Sequence, residues 1–423
     1  MYSQAFTLEN LKKMLRHSDY FRQKNLSEED DEILKEALDK SIKKEALTGA
    51  DVTVHELKKK NKIKYIYSLK NFSDKILMRK VAHNILTTYK VTPTSRDSII
   101  KNLKKILEEN VTYRIYRRDI KNFYGSVSSL HATSKLEKNW KVSRPTVSLT
   151  RSLLSFFRGR EEGLPRGLQI SAALAEVSMQ DFDATVKQHP DVFLYARFVD
   201  DIIVITSGAE DILQFDGFLS QSLPSGLVFN SARKKKYTMR VNARKKGITS
   251  TSTAIQPNAK FQFLGYFFKI YPSQAKEVKK RPHELKVSIS DDKIKRIKTK
   301  TVKAFLSYLK DRNFMLLQNR IKLLTGNYYL LDKDRNRKRM AGIYYSNLHV
   351  TDAEESLRVL DKFLFNLISS GRGKVSRGIK FSLSAQERRI LLGHKFSRGY
   401  AKKTIHYFNK YELIAITRCW KNG

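Results

Sequence analysis

The sequence predicts an α+β fold: an antiparallel sheet with helices on it, followed by a helical, basic C-terminal third. Three observations carry this. Residues 192–206 read as a hairpin, because Asp200-Asp201 interrupts a strand-forming run and Asp suits a tight turn far better than a strand interior. Tyr113 to Ile120 reads as a further strand that ends at Asp119. Elsewhere apolar residues recur at helical spacing, and after Ser288 almost everything does.

In chain order, residues 1 to about 75 are polar and predicted mostly helical, with Ser27-Glu28-Glu29-Asp30 opening a helix and a basic stretch at Lys58 to Lys64. Lys75 to Val91 is amphipathic through Ile76, Leu77, Val81, Ile85 and Leu86. Ser95 is a candidate N-cap for the helical spacing of Ile99, Ile100, Leu103, Ile106 and Leu107. Residues 165–188 form a helix entered through Gly-Leu-Pro. A basic turn, Arg233 to Lys236, precedes one apolar strand from Phe261 to Ile270. Ser290-Asp291-Asp292 starts a helical stretch, 293–325, with Lys and Arg on one face. Arg335 to Arg339 is a basic loop, Leu357 to Ile368 another helix, and Ser397 to Trp420 a basic and aromatic end.

Charge limits the function classes. Of 423 residues, 82 are Lys or Arg and 42 Asp or Glu, a net charge of +40. Such an excess binds phosphate backbones with strong salt dependence; a ribosomal or membrane-surface protein is the other class it fits. A hydrophobic content of 41% supports real cores and excludes a disordered basic tail. The single cysteine, Cys419, excludes an internal disulfide and a cysteine-rich zinc module and suits a reducing cytoplasm. Met1 to Asn10 has no secretory pattern and no apolar run reaches membrane-spanning length, so the expectation is a cytoplasmic protein with no membrane partner.

Asp119, Asp200 and Asp201 are the candidate chemical centre. Three carboxylates without histidine suit magnesium, which takes few carboxylates plus substrate phosphates. Two such ions would serve in-line phosphoryl transfer, and manganese is the alternative metal. Taken singly, Asp119 reads first as an ordinary strand-end or capping acid, and Asp200-Asp201 as an exposed hairpin turn; it is their combination with the next element that points to a metal site. Gly163-Leu164-Pro165-Arg166-Gly167-Leu168-Gln169-Ile170-Ser171 adds a loop whose glycines admit close approach of a ligand. The helix after it is rich in small residues, Ser171, Ala172, Ala173 and Ala175, against which a base pair can lie.

In order and spacing these segments resemble a reverse transcriptase. Asp119 to Val127 looks like motif A, Gly163 to Ala175 like motif B, and Phe198-Val199-Asp200-Asp201 like motif C. Gly226-Leu227-Val228-Phe229-Asn230 with the lysines after it looks like motif D, and Phe263-Leu264-Gly265-Tyr266 like the thumb entry. Arg166 stands where the family has Gln, and Phe198 where Tyr is common. The resemblance implies a right-hand polymerase: an N-terminal helical and basic segment (1–75), part of the fingers (76–112), a palm with inserted fingers (113–270), a helical thumb (271–345) and a helical basic extension (346–423). It implies an RNA-directed DNA polymerase in which Asp119, Asp200 and Asp201 hold two Mg2+ ions and a motif D lysine, preferably Lys235, protonates the leaving pyrophosphate. Nucleotide contacts would come from Ile120, from Tyr124 as the aromatic gate at the 2′ position, from Arg166, Gly167 and Gln169, and from Arg79 or Arg96 in the fingers. Arg335, Arg337, Lys338 and Arg339 are the candidate nucleic-acid contacts.

Leu77-Met78-Arg79-Lys80, Arg96 to Ile100, Glu176, Asp183, Arg320 to Gly326 and Gly342 to Tyr345 resemble bacterial abortive-infection and defence-associated reverse transcriptases. That branch implies a bacterial cytoplasmic enzyme with a structured non-coding RNA, dNTPs and a DNA product. A retron or other mobile-element enzyme, untemplated or protein-primed synthesis and a non-catalytic RNA-binding protein stay open. So do a homo-oligomer and a second operon-encoded protein.

Overall fold

The run Ile202-Ile203-Val204-Ile205 is completely buried and marks the centre of the sheet that positions the candidate site. The computed structural model describes residues 3–16, 19, 26–43, 52–59, 62–92, 94–157, 163–243, 256–272, 283–332 and 337–421. Contacts divide the chain into two units, residues 1–99 with 112–243 and residues 100–111 with 244–423.

The first unit begins with α1 (Leu8–Lys12), α2 (Leu26–Lys43), β1 (Val52–Lys59), β2 (Lys62–Leu69) and α3 (Phe72–Thr88). Next come α4 (Arg96–Glu108), whose later turns belong to the second unit, and β3 (Tyr113–Asp119). Then follow α5 (Phe123–Ser126), α6 (Ser129–Lys138), α7 (Arg144–Phe157), α8 (Gln169–Gln188), β4 (Val192–Phe198), β5 (Asp201–Thr206), α9 (Ile212–Ser222) and β6 (Tyr237–Val241). The sheet order is β4-β5-β3-β6, all antiparallel. β5 lies inside the sheet and is covered on both faces, which explains a continuous apolar run instead of alternation. One face is sealed by α8, whose Ile170, Leu174, Val177, Phe182 and Val186 join Ile202, Val204 and Tyr116 in one core. Each such side chain contributes roughly 1.5–3 kcal/mol on burial. Ser95 caps α4 as its sequence suggests, accepting from Ser98 N at 3.0 Å.

One part of this unit departs from the sequence expectation. Residues 52–69 form a hairpin, not helix, with Val52 paired to Leu69 and Lys59 to Lys62. The lysines there favour helix weakly, but Ile63, Tyr65, Ile66 and Tyr67 are β-branched or aromatic, and cross-strand pairing outweighs the propensity.

The second unit holds β7 (Ala259–Phe263), β8 (Tyr266–Tyr271) and β9 (Glu284–Ile289) as one antiparallel sheet. The single strand expected at Phe261 to Ile270 is thus two, reversed at Leu264-Gly265, both at positive φ (44° and 78°). After it come α10 (Asp291–Asp311), α11 (Phe314–Thr325), β10 (Asn327–Asp332), β11 (Arg337–Gly342), α12 (Glu354–Ser369), α13 (Gly373–Ser382), α14 (Ala385–Leu392), α15 (Phe396–Ala401), β12 (Ile405–His406) and α16 (Lys410–Lys421). Phe305, Tyr308, Leu317, Ile321, Leu360, Leu364, Ile368 and Phe396 form its core. The expected basic loop is in part strand: Lys338 pairs with Leu331 and Arg339 with Leu330, while Arg335 lies outside the described residues. No helix among the described residues is long and apolar enough to cross a membrane.

Candidate active site

Strand register brings the aspartates together. Asp119 ends β3 directly opposite Asp201, the first residue of β5. The Ile120 amide donates to the Asp200 carbonyl at 3.1 Å, so the segment after Asp119 continues alongside the turn. Three carboxylates therefore share one end of one sheet. Burial pushes the Asp200 and Asp201 carboxyls up from 3.8, and neighbouring carboxylates (Asp119 on Asp200, Asp200 on Asp201) push the same way. Arg117 Nη2 lies 3.9 Å from Asp201 Oδ1, and its charge and that of Lys235 work against the upward shift.

Asp119 is almost completely buried and held on three sides. Its carbonyl accepts from Asn230 N at 2.7 Å. Its Oδ2 accepts from Asn230 Nδ2 at 3.1 Å, and its Oδ1 from Lys235 Nζ at 2.5 Å. Asn230 Oδ1 in turn accepts from Ala232 N at 3.1 Å, and the Ala232 carbonyl accepts from the amides of Lys235 and Lys236. Among the basic turn residues it is Lys235 that reaches Asp119. Burial works to lower its pKa, but the hydrogen bond and charge of Asp119 outweigh that and leave it raised.

The turn between β4 and β5 is strained. Val199 sits at φ 60°, a region β-branched residues rarely enter. Arg197 spans it: Nη1 donates to the Val199 carbonyl at 3.1 Å, and the guanidinium also binds Glu176 and Asp183 of α8. Tyr195 Oη donates to Asp183 at 2.5 Å. Burial disfavours the Arg197 charge, but the two carboxylates hold it firmly protonated.

The Gly-Leu-Pro loop closes another side. The Leu164 amide donates to the Tyr124 carbonyl at 2.8 Å. A Cβ on Gly163 would lie 2.5 Å from that oxygen, so this approach requires glycine. Arg166 donates to Asn122 Oδ1, and its carbonyl accepts from Tyr67 N at 2.8 Å, which ties hairpin β1–β2 to the loop. Gly167 is at φ 97° against the Tyr67 carbonyl. Tyr124 is half-buried; burial, then Glu176 and Asp200, push its phenol up. Gln169 is exposed at the first turn of α8.

Other expected contacts fall elsewhere. Arg79 does not open toward the site: it pairs with Asp19 at 2.5 and 3.0 Å and with the Met14 carbonyl, and is nearly buried. The Ile120 side chain is buried in the core, so only its backbone borders the site. Arg96 begins α4 and is half-buried. Lys338 and Arg339 are exposed on β11 in the second unit. Asn230 and Arg197 received no role from the sequence. The signal was there for Arg197: Glu176 and Asp183, seven apart, put two acids on one face of a largely apolar helix.

Among the described residues no three acidic, His or Cys side chains form a ready-made metal cage. The donor set is nevertheless all carboxylate, crowded and mutually repelling. It fits a hard divalent cation that uses one or two carboxylates and fills its shell with water and phosphate oxygens.

Residues 57–268 match the family profile "Reverse transcriptase (RNA-dependent DNA polymerase)". No curated protein matches the chain. Solved structures similar to it include the apo telomerase of Candida tropicalis truncated from its C-terminal domain, at 14% identity and TM-score 0.34 over 56% of this chain and 59% of that one. The telomerase of Candida albicans with a TWJ fragment of telomeric RNA matches at 12% identity and TM-score 0.36 over 91% of this chain and 65% of that one. The chain spans less than two thirds of either telomerase.

Proposed function

The chain belongs to the reverse transcriptase (RNA-dependent DNA polymerase) family, whose activity is nucleotidyl transfer, and from that premise we propose that it copies a bound RNA into DNA at the Asp119–Asp200–Asp201 centre. The observation that carries this is the register pairing of Asp119 with Asp201 beside the strained Val199-Asp200 turn. Asp119 and Asp200, with Asp201 in support, would hold magnesium. When bound, such ions supply activation of a 3′-hydroxyl and stabilisation of charge in the in-line transition state.

The chain's own groups supply the rest. Asn230 orients the Asp119 carboxylate. Lys235, an ammonium on a hydrogen-bonded turn, is the donor of a proton to departing pyrophosphate once it leaves Asp119. Tyr124, in motif A, presents a half-buried ring that would exclude a 2′-hydroxyl, and its carbonyl holds the Gly-Leu-Pro loop. Arg166, held by Asn122, supplies a cation beside Asp200 for an incoming triphosphate. The net charge of +40 suits an RNA template retained through its backbone. The resemblance to bacterial defence-associated enzymes extends the proposal to a cytoplasmic anti-phage role with a structured non-coding RNA template.

The test is to purify the protein from its native host and sequence the nucleic acid that accompanies it. Magnesium-dependent dNTP incorporation is measured beside Asp200→Ala/Asp201→Ala. A discrete RNA and a complementary DNA product, lost in the double variant, is the expected result. Incorporation that survives RNase and follows no template would replace the proposal with untemplated synthesis.

A further inference from the structure

The second unit carries an aromatic surface outside its own core. Its strands β11, β10 and β12 form one sheet in that order. Side chains alternate between the two faces of a sheet. Register sets Tyr328 beside His406, and both rings face Phe408, with centroids 6.4 and 6.2 Å from it. Tyr329 therefore lies on the opposite face, paired in register with Met340 of β11, and Lys338 shares that face two residues before Met340. Tyr407, just past β12, stacks on Tyr329, with ring centroids 5.7 Å apart and planes at 29°. Tyr329 is half-buried, yet Tyr407 stays 78% exposed, and Lys338 is exposed as well. A tyrosine ring fixed from one side by a second ring, itself rooted in a sheet, leaves its outer surface open to a flat ligand.

We propose that this sheet face binds an unpaired nucleic-acid strand, with a base stacked on Tyr407 and Lys338 against the flanking phosphates. Every base has a π-face, so an exposed ring on a rigid sheet accepts any sequence, whereas a base inside a duplex has its faces covered by its neighbours. The charge around the rings selects a polyanion over an apolar protein partner. Residues 337–351 contain three Lys or Arg and residues 395–411 contain five, with no Asp or Glu in either stretch. Glu412, the first acid after Tyr407, is engaged at the start of α16, where its carboxylate accepts from Asn409 N at 2.7 Å. Asp332 lies at the far end of the hairpin, opposite Arg337 in register. A strand of RNA and one of DNA offer the same two groups, a bare base and its phosphates. Binding here requires no catalysis at the Asp119–Asp200–Asp201 centre and is tested apart from it.

Full-length protein is irradiated with a short oligonucleotide carrying one central 5-iodouracil, as RNA and as DNA, each single-stranded or annealed to its complement. Crosslinks are mapped by peptide mass spectrometry. The half-saturating concentration is read on the Tyr407 peptide alone, so binding elsewhere on a chain of charge +40 does not enter. Saturable crosslinking of that peptide by the single strands is expected, and whichever of RNA or DNA saturates it at lower concentration identifies the strand. The annealed forms should need about fivefold more or give no crosslink, since stacking is lost. Tyr407→Phe, which keeps the ring, should leave the curve in place. Lys338→Glu should raise the half-saturating concentration by about fivefold or more, with a weaker salt dependence. Lys374→Glu on α13, also exposed and of the same charge change, should raise it far less. The substituted residues are exposed, so the variants keep the fold. No saturable crosslink at Tyr407, equal saturation by the annealed forms, or equal effects of Lys338→Glu and Lys374→Glu overturns the proposal.

Discussion

Arg197 donates from Nη1 to the carbonyl of Val199, and Val199 is held at φ 60° immediately before Asp200. A β-branched residue there costs on the order of 1–3 kcal/mol unless its surroundings over-determine it. Arg197 is that surrounding, since its other donors are fixed on α8 by Glu176 and Asp183. Arg197→Met should destabilise the protein by about 3 kcal/mol, because two part-buried carboxylates lose their cation. Val199→Gly in the same background should recover part of the loss by relieving the strain. Thermal unfolding of the single and double variants measures both; no recovery would mean that the clamp does not act through the turn.

Asn230 acts on Asp119 from two directions, backbone to backbone and amide to Oδ2. Asn230→Ala leaves the first bond and removes the second. Partners that orient metal-binding groups typically change activity or metal affinity ten- to hundredfold. We expect a drop of about that size in kcat with a higher magnesium requirement and little change in dNTP KM. Asn230→Asp should be worse, placing a fourth acid beside Asp119. A metal titration of dNTP incorporation separates this from a general loss of fold, which would not alter the half-saturating magnesium concentration.

Tyr124 is expected to discriminate sugars by bulk. Tyr124→Ala should raise ribonucleotide incorporation relative to deoxynucleotide incorporation by on the order of ten- to hundredfold, the size usual for opening a pocket by one contact. Tyr124→Phe should leave discrimination nearly intact, since the ring remains. Competition between matched rNTP and dNTP reads the ratio directly. An unchanged ratio in Tyr124→Ala would place the gate elsewhere.

His394 gives a pH signature in the second unit. Burial, with Lys322, His406 and Arg398 nearby, lowers its pKa from 6.5 to about 4. The unfolded chain therefore takes up a proton first. The neutral imidazole's contribution is complete above 6.5 and is lost as pH falls from 6.5 through about 4. The slope in that window is at most about 1.4 kcal/mol per pH unit. His394→Gln should flatten the fall in unfolding midpoint between pH 6.5 and 4 relative to the parent chain. Parallel curves would mean that His394 is equally protonated in both states.

The sequence marks the carboxylate centre of this architecture better than its supports. Asp119, Asp200, Asp201 and the preference for Lys235 were legible because a strand ending in Asp, a paired-Asp turn and a basic turn are local patterns. Hairpin β1–β2 was not legible, because its lysines favour helix weakly and its strand state is set by pairing and by contact with Arg166. The pairing of Arg79 was not legible for a related reason: an arginine's partner, here Asp19, is a tertiary fact with no local mark. Val199 at positive φ has no sequence signal at all, since nothing local predicts a β-branched residue where glycine would be at ease.

The Asp200-Asp201 turn should itself lower stability. Burial and neighbouring carboxylates raise both folded-state pKa values above the unfolded 3.8. A raised carboxyl stabilises the fold fully only below 3.8, and that contribution is lost as pH rises through the folded-state value, so at neutral pH the charged pair is a net burden. Asp201→Asn should therefore raise the unfolding midpoint at pH 7 by the equivalent of about 0.5–2 kcal/mol while reducing polymerisation, a trade common at functional sites. Magnesium should reverse the ranking. An ion that binds only the folded state stabilises it by mass action, so millimolar magnesium should raise the parent midpoint more than the Asp201→Asn midpoint. Equal magnesium shifts in the two proteins would show that these carboxylates do not hold the ion, and a lower midpoint for Asp201→Asn without magnesium would show that the turn is not electrostatically strained.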